Sequence, residues 1–134
     1  MLNEKDYCDY DTCVALVDLG MRITSRKVYS DRNTLKHSSR GITYTVRTAS
    51  AMGWVIAIPL YEAQKFLREE KGIFVYIDVP WKTDDGLGWS YFCCNKPMTE
   101  EDKEVCFASG GFYDSYEEAL SEGIKKAVKL LKEK

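Results

Sequence analysis

The stretch at residues 58–79, IPLYEAQKFLREEKGIFVYIDV, constrains the fold more than any other part of the chain. Pro59 has a fixed φ and no N–H to donate, which suits the start of a helix. Leu60, Ala63, Phe66 and Leu67 then recur at helical spacing and form one apolar stripe. Glu62 falls in the first turn and Lys71 in the last, as the helix dipole favours. Gly72 stands where a left-handed C-cap is expected. Residues 73–77, Ile-Phe-Val-Tyr-Ile, are large β-formers without a polar break. Such a run suits a strand covered on both faces, or one with a core face and an aromatic-rich face. Only Gly72 joins helix to strand, so the two must fold back on each other and bury Phe66 and Leu67 against Ile73, Val75 or Ile77.

The last helix is written as clearly. Ser115-Tyr116-Glu117-Glu118 matches the capping box S-x-x-E. Tyr116, Leu120, Ile124, Ala127 and Leu131 follow at helical spacing, widened by Ala119, Gly123, Val128 and Leu130. Acids lie early and lysines late, with an i,i+4 pair between Glu122 and Lys126. A first helix opens at Asp9 or Asp11 and ends at Gly20. Between these helices the pattern predicts strands. Residues 23–29 alternate weakly, 30–40 read as a loop or hairpin tip, and 41–47 alternate cleanly, with Ile42, Tyr44 and Val46 on one face. Residues 54–58 predict a short strand or a buried lead into the next helix. Asp84-Asp85-Gly86 marks a turn after the 73–79 strand, residues 88–94 return from it, and 104–108 predict one more strand. The expected fold is a single α+β domain over residues 1–134. Its antiparallel sheet of four or five strands carries three helices mainly on one face, in the order α-ββ-α-ββ(β)-α.

At 134 residues, 45% of them hydrophobic, the chain can bury a core without staples. Its apolar runs fall far short of the roughly 20 residues that span a bilayer. The acidic start, MLNEKDYCDYD, has no apolar signal core. A cytoplasmic setting without membrane contact is expected. Cys8, Cys13, Cys93, Cys94 and Cys106 are odd in number, and although four residues separate Cys8 from Cys13, Cys93 and Cys94 are adjacent and would point to opposite faces of a strand, so the five are expected to be reduced and to pack as small apolar residues. No cofactor or metal is implied. His37 stands alone in a polar loop, and no nucleophile elbow, phosphate-binding glycine loop or calcium loop is present. The acidic run Glu100-Glu101-Asp102 reads as a solvated loop. The sequence leans away from an enzyme.

Charge is the feature that points to a function. Residues 22–47 hold Arg22, Arg26, Lys27, Arg32, Lys36, Arg40 and Arg47 against Asp31 alone, a net of +6. The whole chain carries −2, which leaves −8 for the rest. With Tyr29 and Tyr44 interleaved, such a basic hairpin suits an acidic protein surface. It also suits a phosphate backbone with stacked bases. The third reading is a solvated hairpin balanced by acidic helices. An isoelectric point near 5.5 argues against strong non-specific DNA binding. Trp81 and Trp89 flank the turn at 84–86 and are expected to pair across their hairpin, or to anchor a partner where exposed.

Three segments carry a resemblance: DYDTCVALVDLG, IPLYEAQKFLREEKGIFVYIDV and YDSYEEALSEGIKKAVKLL. Leu19-Gly20, then Pro59 with Ala63, Phe66, Leu67, Arg68 and Glu69, and then Tyr113 through Ala119 match their motifs. In these the chain resembles small uncharacterised proteins of gut Bacteroidetes and of their phages and mobile elements. The resemblance covers about half of the chain. It implies an interaction or regulatory module, suited to counter-defence, and it carries no activity and no catalytic residue. The expected function is protein binding through the basic hairpin at 22–47. Nucleic-acid binding by the same hairpin and a small-ligand sponge are the alternatives.

Overall fold

The computed structural model describes residues 4–38, 41–84, 86–94, 106–109 and 111–133. The chain is α+β and divides into two compact units, Met1–Pro59 and Leu60–Lys134. All strand pairs are antiparallel.

In the N-terminal unit, α1 (Tyr10–Asp18) starts because Asp9, in extended conformation, accepts the Thr12 N–H at 2.9 Å. It stops because Gly20 adopts φ 104°, and two backbone bonds close the end: Gly20 N–H to the Val17 carbonyl and Met21 N–H to that of Leu16, both 3.0 Å. Next come β1 (Thr24–Ser25), β2 (Lys27–Asp31), β3 (Thr34–His37) and β4 (Tyr44–Thr45). After them follow α2 (Val46–Ala51) and β5 (Val55–Ile56). A three-stranded sheet runs β3-β2-β5, and β1 pairs with β4. The β2–β3 tip is folded by Asp31, whose carboxylate accepts the Asn33 N–H at 2.8 Å. α1 lies against β5, and α2 against β4 and β5. The core is small: Cys8, Cys13, Leu16, Val28, Ala49, Ile56, Ala57 and Ile58 are all 1% exposed or less. The Cys8 and Ile58 backbones are bonded at 2.8 Å, which brings the two ends of the unit together.

In the C-terminal unit, α3 (Leu60–Glu70) buries Leu60, Ala63 and Leu67. Ile73 N–H reaches back to the Leu67 carbonyl at 2.9 Å, around Gly72 at φ 69°. β6 (Phe74–Ile77) follows, then the ribbon of β7 (Trp81–Thr83) and β8 (Gly86–Gly88). After the ribbon come β9 (Tyr91–Cys94), β10 (Cys106–Ala108) and α4 (Tyr116–Lys132). The sheet order is β10-β9-β6. Both α3 and α4 pack on β6, and α4 also packs on β9. The closest approach is at Gly123, where an added Cβ would sit 2.7 Å from Val75 Cγ1 and 3.2 Å from Tyr91 Cβ. The Cys93 thiol donates to the Gly123 carbonyl at 3.2 Å. Val75, Tyr91 and Cys93 therefore face α4. The opposite face carries Phe74 stacked on Tyr76, with centroids 6.2 Å apart. This is the core face and aromatic face expected of that strand.

Several expectations change. One sheet of four or five strands becomes four small sheets among the described residues, and three helices become four. Residues 41–47 do not form a strand. Only Tyr44–Thr45 pairs, because Thr45 caps α2: it accepts the Thr48 N–H at 3.0 Å while the Thr48 hydroxyl accepts the Thr45 N–H at 2.8 Å. Trp81 does not pair with Trp89, since the ribbon register sets Trp81 opposite Gly88. Glu122 pairs with Lys125 at 3.2 Å, a contact at i,i+3 that the sequence pattern did not single out. Cys8, Cys13 and Cys93 are buried free thiols, as expected, but Cys94 is disulfide-bonded. The register of β10 on β9 sets Cys94 opposite Cys106. The acidic run at 100–102 and half of the 84–86 turn, Asp85, lie outside the described residues.

Candidate functional site

The basic stretch does not form one projecting hairpin. Lys27, Arg32 and Lys36 lie on the β2–β3 hairpin, Arg22 and Arg26 flank β1, and Arg47 stands in the first turn of α2. Arg40 lies outside the described residues.

These cations meet different partners. Arg32 pairs with Asp11 and lies 5.3 Å from the Tyr10 ring centroid. Arg22 turns Nη1 toward the end of α1 and donates to the Met21 carbonyl at 2.8 Å and the Val17 carbonyl at 3.2 Å. It thereby satisfies helix-end acceptors. Lys27 lies 5.2 Å from the Tyr7 centroid, and Lys36 lies 4.5 Å from that of Trp54. Arg26 and Arg47 are exposed, and among the described residues neither side chain makes a hydrogen bond or ion pair. Of the described arginines in this stretch, Arg32 is the one tied to a carboxylate.

The two tyrosines differ in their surroundings. Tyr29 is 7% exposed, donates to the Cys8 carbonyl at 2.6 Å, and meets Tyr10 edge-on. It belongs to the core because Val28 and Tyr29 sit where β2 is flanked by both neighbours. Tyr44 is half-buried and edge-on to Trp54 at 5.8 Å. In the C-terminal unit Trp81 is 61% exposed. Trp89 exchanges two backbone bonds with Tyr113, at 2.9 and 2.7 Å, and its ring meets Tyr116 edge-on. Trp81 and Phe112, which is 56% exposed, share the lining of a shallow recess of about 210 Å³.

The feature that sequence reasoning missed is a groove of about 980 Å³ within the N-terminal unit. Val17 contributes apolar wall from the end of α1, Ile23 from the stretch just before β1, and Val46 and Ala51 from α2. Arg22 and Arg47 stand in the same lining, which Thr24, Thr45 and Ser50 complete with hydroxyls. Two of the predicted binding residues therefore meet here, though they are 25 positions apart in sequence. The signal for α2 was present: Thr45 and Thr48 as a cap pair, and Gly53 as a stop. Gly53 takes φ 75° and Trp54 N–H reaches the Ala49 carbonyl at 2.9 Å, repeating the closure that ends α1.

Chemistry at the other titratable groups is structural. The Asn33 N–H, then the Thr34 hydroxyl, hold the Asp31 carboxyl below its usual range. The adjacent Cys13 thiol, then burial, push the Cys8 thiol well up, and burial pushes that of Cys93 to about 11. Thiols so raised are poor nucleophiles. Among the described residues no group of His, Cys, Asp and Glu is gathered to hold a metal ion, and no helix is long and apolar enough to cross a membrane. Compared with protein-family models, with curated proteins and with solved structures, the chain finds no match.

Proposed function

We propose that the chain is a non-enzymatic interaction module that binds an acidic protein partner through the cationic surface of its N-terminal unit, residues 22–47. The observation that carries this reading is the state of its cations. Arg26 and Arg47 are exposed with no intramolecular partner among the described residues, and of the described arginines in this stretch Arg32 is the one neutralised by a carboxylate. Unneutralised guanidinium groups favour encounter with an acidic surface. The nucleic-acid alternative is weakened, because Tyr29 is buried and so one of the two stacking platforms it needs is taken into the core. The resemblance to proteins of mobile elements supports a regulatory or counter-defence setting in the cytoplasm. The free thiols of Cys8, Cys13 and Cys93 suit that compartment, and the Cys94 disulfide is the feature that speaks against it.

The test is affinity capture from host and phage extracts by the full-length chain and by an Arg26→Glu, Arg47→Glu variant. The variant is expected to lose the partner, and wild-type binding is expected to weaken gently with salt. Equal capture by the variant would overturn the reading and move attention to Trp81.

A further inference from the structure

We infer that the groove of the N-terminal unit seats an acidic, aliphatic peptide segment of the partner. This rests on the partner-binding function proposed above. Charge complementarity selects the acid: two guanidinium groups stand in the lining, and no Asp or Glu is among the described residues that line it. Arg22 is also pre-positioned. Its Nη1 is spent on two carbonyls of the α1 end, which fixes the side chain and leaves the N–H groups of Nε and Nη2. That remaining edge matches a carboxylate in the bidentate geometry peculiar to arginine. Arg47 supplies a second cation from α2, with no competing partner among the described residues.

The apolar walls select the rest of the ligand. Val17, Ile23, Val46 and Ala51 present aliphatic surface between the cations, so a large aliphatic side chain beside the acid gains burial that a purely acidic segment lacks. The groove volume, about 980 Å³, lies at the upper end of the range of about 300–1,000 Å³ typical of ligand sites, which leaves room for a few side chains of a peptide segment. No aromatic side chain stands among the described lining residues, so bases would find nothing to stack on.

A random peptide-display library selected on the immobilised full-length chain tests this. Enriched sequences are expected to carry Asp or Glu within a few positions of Leu, Ile, Val or Phe. A synthetic peptide of that sequence should lose affinity about tenfold on Arg47→Glu, the equivalent of one charge-assisted hydrogen bond. It should lose a similar factor on Ala51→Trp, which fills the groove without changing charge. Both positions are exposed, so neither variant removes a core contact. Enrichment of basic or aliphatic-free peptides would overturn the inference. So would a fluorescent single-stranded oligonucleotide that displaces the peptide, or self-association that Ala51→Trp abolishes, since each names a different occupant. Loss of binding in Arg26→Glu with full binding in Ala51→Trp would overturn the groove and leave the cationic surface standing. Full binding in every variant would overturn both.

Discussion

Each unit holds a three-stranded antiparallel sheet, β3-β2-β5 in Met1–Pro59 and β10-β9-β6 in Leu60–Lys134, but the helices laid on them differ. α1 and α2 have 9 and 6 residues, and α3 and α4 have 11 and 17. Long amphipathic helices bury a continuous stripe, and in the C-terminal unit α4 comes close enough to the sheet that only glycine fits at position 123. Short helices bury little and depend on their ends, because nucleating a helix is costly and few bonds follow. In the N-terminal unit each short helix is capped by a side chain and closed by a left-handed glycine, and a groove is left between them. The lesson is that the same quantity of sheet makes a packed body in one unit and an uncovered surface in the other.

The largest expected effect is in the packed body. Ile124, fully buried, should cost about 2–5 kcal/mol when changed to Ala, read as a shift of the urea midpoint at constant slope. A cost below about 1 kcal/mol would mean that α4 does not hold the unit together as described. Gly123→Ala sharpens the same point. Overpacking costs about 1–3 kcal/mol and the gain in helix propensity returns about 1, so a net loss of up to about 2 kcal/mol is expected. A stabilised variant would show that Val75 and Tyr91 give way freely. In the N-terminal unit the sensitive points are the caps. Asp9→Ala and Thr45→Ala should each cost about 1 kcal/mol by chemical denaturation, and Thr45→Ser should restore most of its share. No effect from either would break the claim that helix ends govern this unit.

A smaller effect is set by pH. The Cys93 thiol is raised from 9.0 to about 11 in the folded chain, chiefly by burial. The unfolded chain releases that proton first. The contribution is therefore fully present below pH 9 and is lost as pH rises through 11. The Tyr91 and Tyr113 phenols, raised mainly by burial, act in the same direction, as does Cys8 in the other unit. Denaturant midpoints measured across this alkaline window should fall, and Cys93→Ser should flatten the slope. A slope unchanged by that substitution would contradict the role given to burial at Cys93.

The comparison also explains what was legible in the sequence. α3 and α4 could be read because their signals are local and repeated: Ser115 as cap, Gly72 as stop, and several apolar positions at helical spacing. The Phe74–Ile77 strand followed from its run of large β-formers, which left open whether both faces were covered or one was an aromatic face. Residues 41–47 misled because β-branched and aromatic residues alternate there for another reason: Thr45 caps, Val46 opens a helix, and Ile42 remains 54% exposed. A six-residue helix has no room for periodicity to show, so its two ends, the Thr45–Thr48 capping pair and the Gly53 stop, were the signs of it. Trp89 was paired with the wrong partner because its bond to Tyr113 spans 24 positions and leaves no mark on the local pattern. The groove was invisible for the same reason. Arg22 and Arg47 meet only because α2 exists and β1 pairs with β4.

The most direct test of the central claim is amide hydrogen–deuterium exchange on the full-length chain, with and without its captured partner. Slower exchange is expected at residues 17–24 and 45–51, the two segments that line the groove, with the β7–β8 ribbon unchanged. Protection confined to the ribbon around Trp81, with 17–24 and 45–51 unaffected, would contradict the claim that the N-terminal unit is the binding surface.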